Sequence, residues 1–171
     1  MKKIAKFHKV SYEQFLEGWK DTFPETTEKK IKEIYEQIKL PKRATAGSAG
    51  YDFFSPVDFT VAPGQGIKIP TGIRVEMEPE WVLKCYPRSG LGFKYRLQLN
   101  NTVGIIDSDY FYSDNEGHIF SKITNDSNEN KTLTIPADTG FMQGIFVEYG
   151  ITVDDDATEI RNGGFGSTTA K

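Results

Sequence analysis

The sequence predicts an all-β domain of jelly-roll type, with helices confined to roughly its first 40 residues. From Ala44 onward, segments of four to eight residues rich in β-branched and aromatic side chains alternate with breaks at Gly, Pro, Asn or Asp. Helical periodicity occurs only before that point. The 171 residues include 16 glycines and 13% aromatics, which favours short strands joined by turns. We therefore predict one domain over residues 1–171.

Charge and cysteine content exclude several classes of protein. The net charge of −3 leaves no basic surface of the kind that nucleic acid or an anionic membrane requires. The single cysteine, Cys85, excludes an internal disulfide and a cysteine-based zinc site, and it suits a reducing cytoplasm. No apolar run approaches 18 residues and no signal-peptide pattern is present, so we expect no membrane span.

The N-terminal part predicts an edge strand followed by two helices. Residues 2–10 are short and lysine-rich, as in an edge strand. Residues 11–14 (Ser-Tyr-Glu-Gln) match a capping box that opens a helix through Trp19. Pro24 separates this helix from a second one that begins near Thr26 or Thr27.

The second predicted helix is amphipathic. Its apolar residues recur at i, i+3, i+4 and i+7, opposite a face of Lys and Glu, so the stripe is expected to pack on the domain. The stripe consists of Ile31, Ile34, Tyr35 and Ile38. Pro41 ends the helical part, and binding of a partner by the stripe is the alternative.

The remainder of the chain predicts strands and a tail. The predicted strands are residues 51–54, 59–62, 66–69, 73–77, 81–86, 131–135 and 144–149. Residues 162–171 are rich in Gly, Ser and Thr, cannot build a core and are expected to form a flexible tail.

An apolar run that ends in two carboxylates and a tyrosine suggests acid chemistry at the edge of the core. This segment, 101–110, reads Asn-Thr-Val-Gly-Ile-Ile-Asp-Ser-Asp-Tyr, and residues 118–124 alternate apolar and polar again. The two runs predict the arms of a hairpin. Its mouth is either a pocket in which Asp107 orients a water, or a solvated turn.

Four further segments carry candidate binding residues. The segment 47–52 begins with small residues, which let the backbone pass close to a ligand. It ends with an aromatic residue and an acid, Asp52. Arg88, Ser89 and the Gly90 amide could each donate to a phosphate. Gln143 lies among apolar residues. Residues 161–169 are glycine-rich, so their amides could surround phosphates, with an aromatic ring available to stack on a base.

Together, in this order, the five segments resemble the motifs of the trimeric dUTP pyrophosphatase (dUTPase) family from about Leu40 to the end. The resemblance implies Mg²⁺-dependent hydrolysis of dUTP to dUMP and pyrophosphate. Asp107 would orient and deprotonate the attacking water. Asp52 would hold the metal ion through a water. Arg88, Ser89 and the Gly90 amide would hold phosphate oxygens, and Gln143 would add a donor nearby. Arg161 is expected among the substrate-binding residues.

The resemblance also implies how the nucleoside is recognised. Asn101 and the backbone at Ile105, Ile106 and Phe120 would read the uracil edge. Tyr110 would lie against the deoxyribose and exclude a 2′-hydroxyl. The tail would close over the ligand through three residues, Phe165, Gly166 and Ser167. The resemblance further implies a homotrimer, with motifs one, two and four from one chain, three from a second and five from a third.

Several features depart from the family pattern. Residues 11–39 form a helical insert, and residues 111–116 lengthen the segment after the motif tyrosine by five. Gly140 replaces a common arginine, and one residue fewer separates Arg161 from the glycine pair. Two alternative functions remain: a dCTP deaminase of the same fold, and a phage-type regulator that acts by capturing a partner protein. Lys122 argues against the deaminase, because that enzyme has a glutamate at this position.

Overall fold

The computed structural model describes residues 1–161 and 163, and it is built mainly of antiparallel strands. The strands are β1 (Ala5–Lys9), β2 (Lys42–Arg43), β3 (Tyr51–Phe54), β4 (Phe59–Val61), β5 (Gly66–Pro70), β6 (Ile73–Met77), β7 (Trp81–Pro87), β8 (Leu97–Leu99), β9 (Gly104–Ile106), β10 (Phe120–Asn125), β11 (Leu133–Ile135) and β12 (Gly140–Glu148). The helices are α1 (Tyr12–Thr22), α2 (Glu28–Gln37), α3 (Ser89–Tyr95) and a 3₁₀ helix at Ser108–Tyr112.

Two sheets enclose the core of the jelly roll. One has the strand order β2-β3-β12-β7-β9, and the other has the order β5-β10-β8. The pairs β1–β6 and β4–β11 form two separate two-stranded sheets. Side chains from both main sheets share one buried cluster, with Phe53 and Phe141 from the first and Ile69 and Ile123 from the second. The predicted all-β class and each of the seven predicted strands are confirmed.

The two N-terminal helices form where the sequence predicts them. Ser11 Oγ accepts a hydrogen bond from Gln14 N at 3.1 Å and caps α1, which continues past Trp19 to Thr22. Thr27 caps α2 through Lys30 N at 3.3 Å. The α2 stripe packs inward, as expected, with its isoleucines buried in the shared core. None of the helices formed by the described residues is long and apolar enough to cross a membrane.

The expectation that helices end near residue 40 is wrong, because Ser89–Tyr95 forms helix α3. The sequence does not indicate this helix because it contains Gly90 and Gly92, and each glycine lowers helix stability by about 1 kcal/mol relative to alanine. The first turn closes through Leu91 N to Arg88 O at 3.0 Å. Arg96, in the left-handed region with φ 49°, ends the helix.

The predicted hairpin between residues 101–110 and 118–124 is also wrong. β9 pairs with β7, whereas β10 pairs with β5 and β8, so the two segments belong to different sheets. The tight reversal lies earlier, where Thr102 N donates to Leu99 O at 2.8 Å. Alternating polarity indicates which face of a strand is buried, but it does not identify the neighbouring strand.

Candidate active site

Seven of the predicted site residues line one cleft of about 990 Å³. They are Asn101, Ile105, Ile106, Asp107, Tyr110, Phe120 and Arg161. Cys85, Ile119 and Met142 contribute buried side chains to the lining. Burial raises the pKa of the Cys85 thiol to about 12, so it is a packed, protonated thiol.

The helical insert forms part of the cleft wall, which the sequence did not predict. Gln14, Glu17 and Asp21 of α1 line it, and so does Lys122 of β10. A Cβ on Gly18 would lie 2.8 Å from Phe120 Cζ, so α1 packs directly on the ring of a residue assigned to base recognition. The amphipathic pattern predicts that such a helix packs inward, but not which side chain it meets.

Asp107 and Tyr110 are held at the two ends of a single 3₁₀ turn. Asp107 follows β9 and precedes the turn, and Tyr110 N donates to Asp107 O at 3.2 Å. The Asp107 side chain is half exposed, whereas Tyr110 is buried. Burial raises the pKa of the Tyr110 phenol, which keeps it protonated. Strand β9 is therefore followed by a solvent-accessible carboxylate, Asp107, and, one turn later, by the neutral ring of Tyr110.

Arg161 reaches the same carboxylate. Its Nη2 donates to Asp107 Oδ2 at 2.6 Å, and its Nε donates to Asp109 Oδ1 at 2.9 Å. The beginning of the fifth motif thus meets the third motif within one chain. Phe165, Gly166 and Ser167, the other predicted residues of that motif, lie outside the described residues.

A second cluster contains the other predicted residues. Arg88 Nε lies 3.1 Å from Asp52 Oδ1, and Arg88 Nη1 donates to Gly140 O at 3.2 Å. Gln143 Nε2 donates to Pro87 O at 3.1 Å. Ser89 and Gly90 are exposed at the start of α3. None of the predicted residues in this cluster lines the cleft that contains Asp107.

The two groups lie at different positions on the five-stranded sheet. On β12, Met142 lines the cleft, and the next side chain, Gln143, points to the opposite face because strand side chains alternate. Asp52 on β3 and Tyr86 on β7 are the cross-strand partners of Gln143 and share its face. Asp107 follows the edge strand β9, which β12 and β7 separate from β3, and the Asp52–Arg88 pair does not line the cleft that contains Asp107.

His118 is a buried group to which the sequence analysis assigned no role or partner. Its Nε2 accepts a hydrogen bond from Gly72 N at 2.9 Å, and its ring lies 4.2 Å from that of Phe120. Desolvation by burial lowers the pKa of His118 to about 3, so the imidazole is neutral. Because Nε2 accepts, the proton is on Nδ1. No short sequence pattern around His118 indicates this contact with a residue 46 positions away.

Comparison with known proteins identifies the family. The dUTPase family model matches residues 36–169. The deoxyuridine 5′-triphosphate nucleotidohydrolase of Lactococcus lactis is 40% identical over 136 residues, which cover 78% of this chain and 89% of the relative. The chain belongs to the dUTPase family. The matching enzyme of Escherichia coli O45:K1 is 37% identical over 141 residues, covering 78% of this chain and 89% of the relative.

Solved dUTPase structures agree with this assignment. The dUTPase of Streptococcus mutans superposes with a TM-score of 0.60 at 30% identity, covering 85% of this chain and 97% of its own. A mutant dUTPase from phage phi11 of S. aureus gives a TM-score of 0.63 at 18% identity, covering 92% and 98%, and supports the fold alone. The dUTPase model begins at residue 36, so α1 and most of α2 lie outside the family match.

The residues of this dUTPase fit a magnesium ion carried by the substrate rather than held by a protein cage. Within residues 1–161 and 163, no group of three or more His, Cys, Asp or Glu side chains converges. Asp52 is a single carboxylate, and its side chain is 19% exposed beside Arg88. Mg²⁺ commonly keeps several waters and binds through one or two carboxylates and substrate phosphates. A lone Asp52 is compatible with that arrangement.

Proposed function

We propose that this chain hydrolyses dUTP to dUMP and pyrophosphate with Mg²⁺, in the cytoplasm. The observation that carries the proposal is the cleft in which Asp107, Asn101 and Tyr110 converge. A water-activating carboxylate, an amide and an aromatic ring are the groups needed for attack on a phosphate joined to a deoxynucleoside. The curated relatives named deoxyuridine 5′-triphosphate nucleotidohydrolase support the same substrate.

Asp107 is the general base of the proposed reaction. Its half-exposed carboxylate orients a water for in-line attack on the α-phosphorus and takes the proton from it. Hydrolysis of a phosphoanhydride depends mainly on positioning and on neutralisation of charge. Arg88, Ser89 and the Gly90 amide hold phosphate oxygens, and Gln143 adds a donor.

Charge on the triphosphate is neutralised by cationic groups. Asp52 would hold Mg²⁺ through a water, and the ion would supply charge neutralisation at the phosphate oxygens. Arg161 supplies a guanidinium at the Asp107 end, which can exchange its carboxylate partners for phosphate oxygens.

The nucleoside is selected by the shape and hydrogen bonds of the cleft. Asn101 and the backbone at Ile105, Ile106 and Phe120 read the uracil edge, so the reversed donor pattern of cytosine leaves polar groups unpaired. Tyr110 packs against the deoxyribose and occupies the space of a 2′-hydroxyl. Beyond the described residues, we propose that Phe165 stacks on the base while Gly166 and Ser167 contact phosphates, which excludes water from the site.

A homotrimer would bring together the groups that one chain keeps apart. The Asp52–Arg88 pair does not line the cleft that contains Asp107, so in this proposal a neighbouring subunit supplies the pair. A closed ring of three chains joined head to tail provides such a site at each interface.

Pyrophosphate release tests the proposal. Purified protein is incubated with dUTP, dCTP, dTTP or UTP, with Mg²⁺ or with excess chelator. The expected result is pyrophosphate from dUTP alone, dependent on Mg²⁺. Ammonia release from dCTP would support the deaminase alternative, and comparable turnover of all four nucleotides would exclude the proposed specificity.

A further inference from the structure

The segment 111–116, which follows the 3₁₀ helix, has a defined conformation. Ser113 N donates to Tyr110 O at 3.0 Å and Glu116 N donates to Ser113 O at 2.8 Å. Glu116 and Gly117 both adopt positive φ, 57° and 70°. A non-glycine residue in the left-handed region is strained, so surrounding contacts must hold Glu116 there.

Those contacts tie the segment to the helical insert. The Glu116 carboxylate accepts hydrogen bonds from Ser11 N at 2.8 Å and from Ser11 Oγ at 2.6 Å. Arg74 of β6 donates to Phe111 O at 2.5 Å, and its guanidinium carbon lies 3.6 Å from the centre of the Phe111 ring. The first turn of α1 and the lengthened segment are therefore one connected unit, anchored to strand β6.

Asn115 connects this anchored segment to Tyr110 by a hydrogen bond. Its Nδ2 donates to Tyr110 Oη at 2.8 Å, and its Oδ1 accepts from Gly117 N at 3.2 Å. Tyr110 Oη in turn donates to His118 O at 2.8 Å. Asn115 also lines the cleft. The phenol oxygen is thus fixed from both sides, by a backbone acceptor and by a side-chain donor.

We propose that Asn115 is a positioning residue that holds the Tyr110 ring in the orientation that excludes a ribose 2′-hydroxyl. This inference rests on the proposed function, in which Tyr110 packs against the deoxyribose. A ring that can swing away from the sugar makes room for the additional hydroxyl. Discrimination between dUTP and UTP then depends on Asn115, although Asn115 is not itself required to touch the sugar.

Three variants isolate the Asn115–Tyr110 contact. Asn115→Asp preserves the shape and the acceptor for Gly117 N, but it removes the donor to Tyr110. Tyr110→Phe removes the other partner, and the double variant removes both. The matched control is Asp114→Asn, which exchanges a carboxylate for an amide at an exposed neighbouring position. The measured quantity is the ratio of kcat/KM for UTP to kcat/KM for dUTP.

The expected result for Asn115→Asp is a rise in the UTP/dUTP ratio of roughly 3- to 10-fold, which corresponds to one hydrogen bond. Asp114→Asn should leave the ratio unchanged. In the Tyr110→Phe background, Asn115→Asp should have no further effect, because the contact is already lost. Asn115→Ala should raise the ratio as well, which checks that the result does not depend on the new carboxylate.

Two results would overturn the proposal. One is an unchanged ratio in both Asn115 variants while Tyr110→Ala raises it, which would leave Tyr110 as the sugar-selecting residue without help from Asn115. The other is an equal effect of Asn115→Asp with and without the Tyr110 hydroxyl. Failure of the proposed function is distinguishable from both, since the unmodified protein would then not release pyrophosphate from dUTP.

Discussion

The Arg161 guanidinium and the Asp107 carboxylate form an ion pair in which Nη2 and Oδ2 are 2.6 Å apart. Asp109 holds the Nε of the same guanidinium, so Arg161 bridges two carboxylates from one 3₁₀ turn. Only 20% of the Arg161 side chain is exposed. These two contacts use only part of the N–H donors of the guanidinium, so Arg161 connects the residues before the tail to the candidate base and keeps donors for a phosphate.

Replacement of Arg161 by alanine should raise the KM for dUTP by roughly 10-fold or more, the effect of losing one charge-assisted hydrogen bond to a phosphate. Inhibition by dUMP, which lacks the β- and γ-phosphates, should change much less. Steady-state kinetics with dUMP as a competitor measure both effects. Arg96→Ala, which removes an exposed pair with Asp126, is the control. An unchanged KM would exclude Arg161 as a phosphate ligand.

Replacement of Asp107 by asparagine should lower kcat by on the order of 10²–10⁴, because the amide cannot accept the proton from water. Affinity for a non-hydrolysable dUTP analogue, measured by calorimetry, should change far less. Asp109→Asn is the matched control, since it removes the other carboxylate partner of Arg161 and preserves the base. Near-normal kcat in Asp107→Asn would assign activation of the water to another group.

Mixing two inactive variants tests whether sites are shared between chains. Asp107 lines the cleft and Arg88 lies outside it, so Asp107→Asn and Arg88→Ala each inactivate a different contribution to a site. If the protein is a ring of three, unfolding and refolding the variants together should restore part of the activity, because each mixed ring then contains a complete site. Either variant refolded alone should remain inactive. A fully active monomer in light scattering would contradict the trimer.

The burial of His118 should make the folded state less stable in acid. Its pKa is about 3 in the folded protein, so between pH 6.5 and 3 the imidazole binds a proton only after unfolding. Unfolding is therefore favoured as the pH falls through this range, by about 1.4 kcal/mol per pH unit well below 6.5.

The measurement is the free energy of unfolding by denaturant at pH 7 and pH 5. His118→Gln preserves an acceptor for Gly72 N but cannot titrate, so its loss of stability between these pH values should be smaller than that of the unmodified protein by about 2 kcal/mol. His8→Gln, at the other histidine, on the surface strand β1, is the control. Equal losses in the unmodified protein and His118→Gln would mean that His118 is protonated in the folded state.

The sequence by itself was sufficient for the caps of α1 and α2, the family and the strand segments other than the short strands β2 and β8. Alternation along each strand and the Ser11 and Thr27 caps are local properties, which depend on residues a few positions apart. The five motifs identified the family because their chemistry is carried by residue types in a fixed order. For the same reason the cleft residues from Asn101 to Tyr110, which are contiguous in the chain, were predicted as a group.

Only the tertiary structure decided which distant residues meet. The pairing of β9 with β7 rather than β10 could not be predicted, because backbone hydrogen bonds are the same for every sequence and do not specify a partner strand. Helix α3 was missed because its two glycines have low helix propensity, which tertiary contacts override. The Arg161–Asp107 pair and the separation of Asp107 from the Asp52–Arg88 pair both follow from long-range packing. Local periodicity specifies which side of an element is buried, whereas the path of the chain in three dimensions specifies what lies against it.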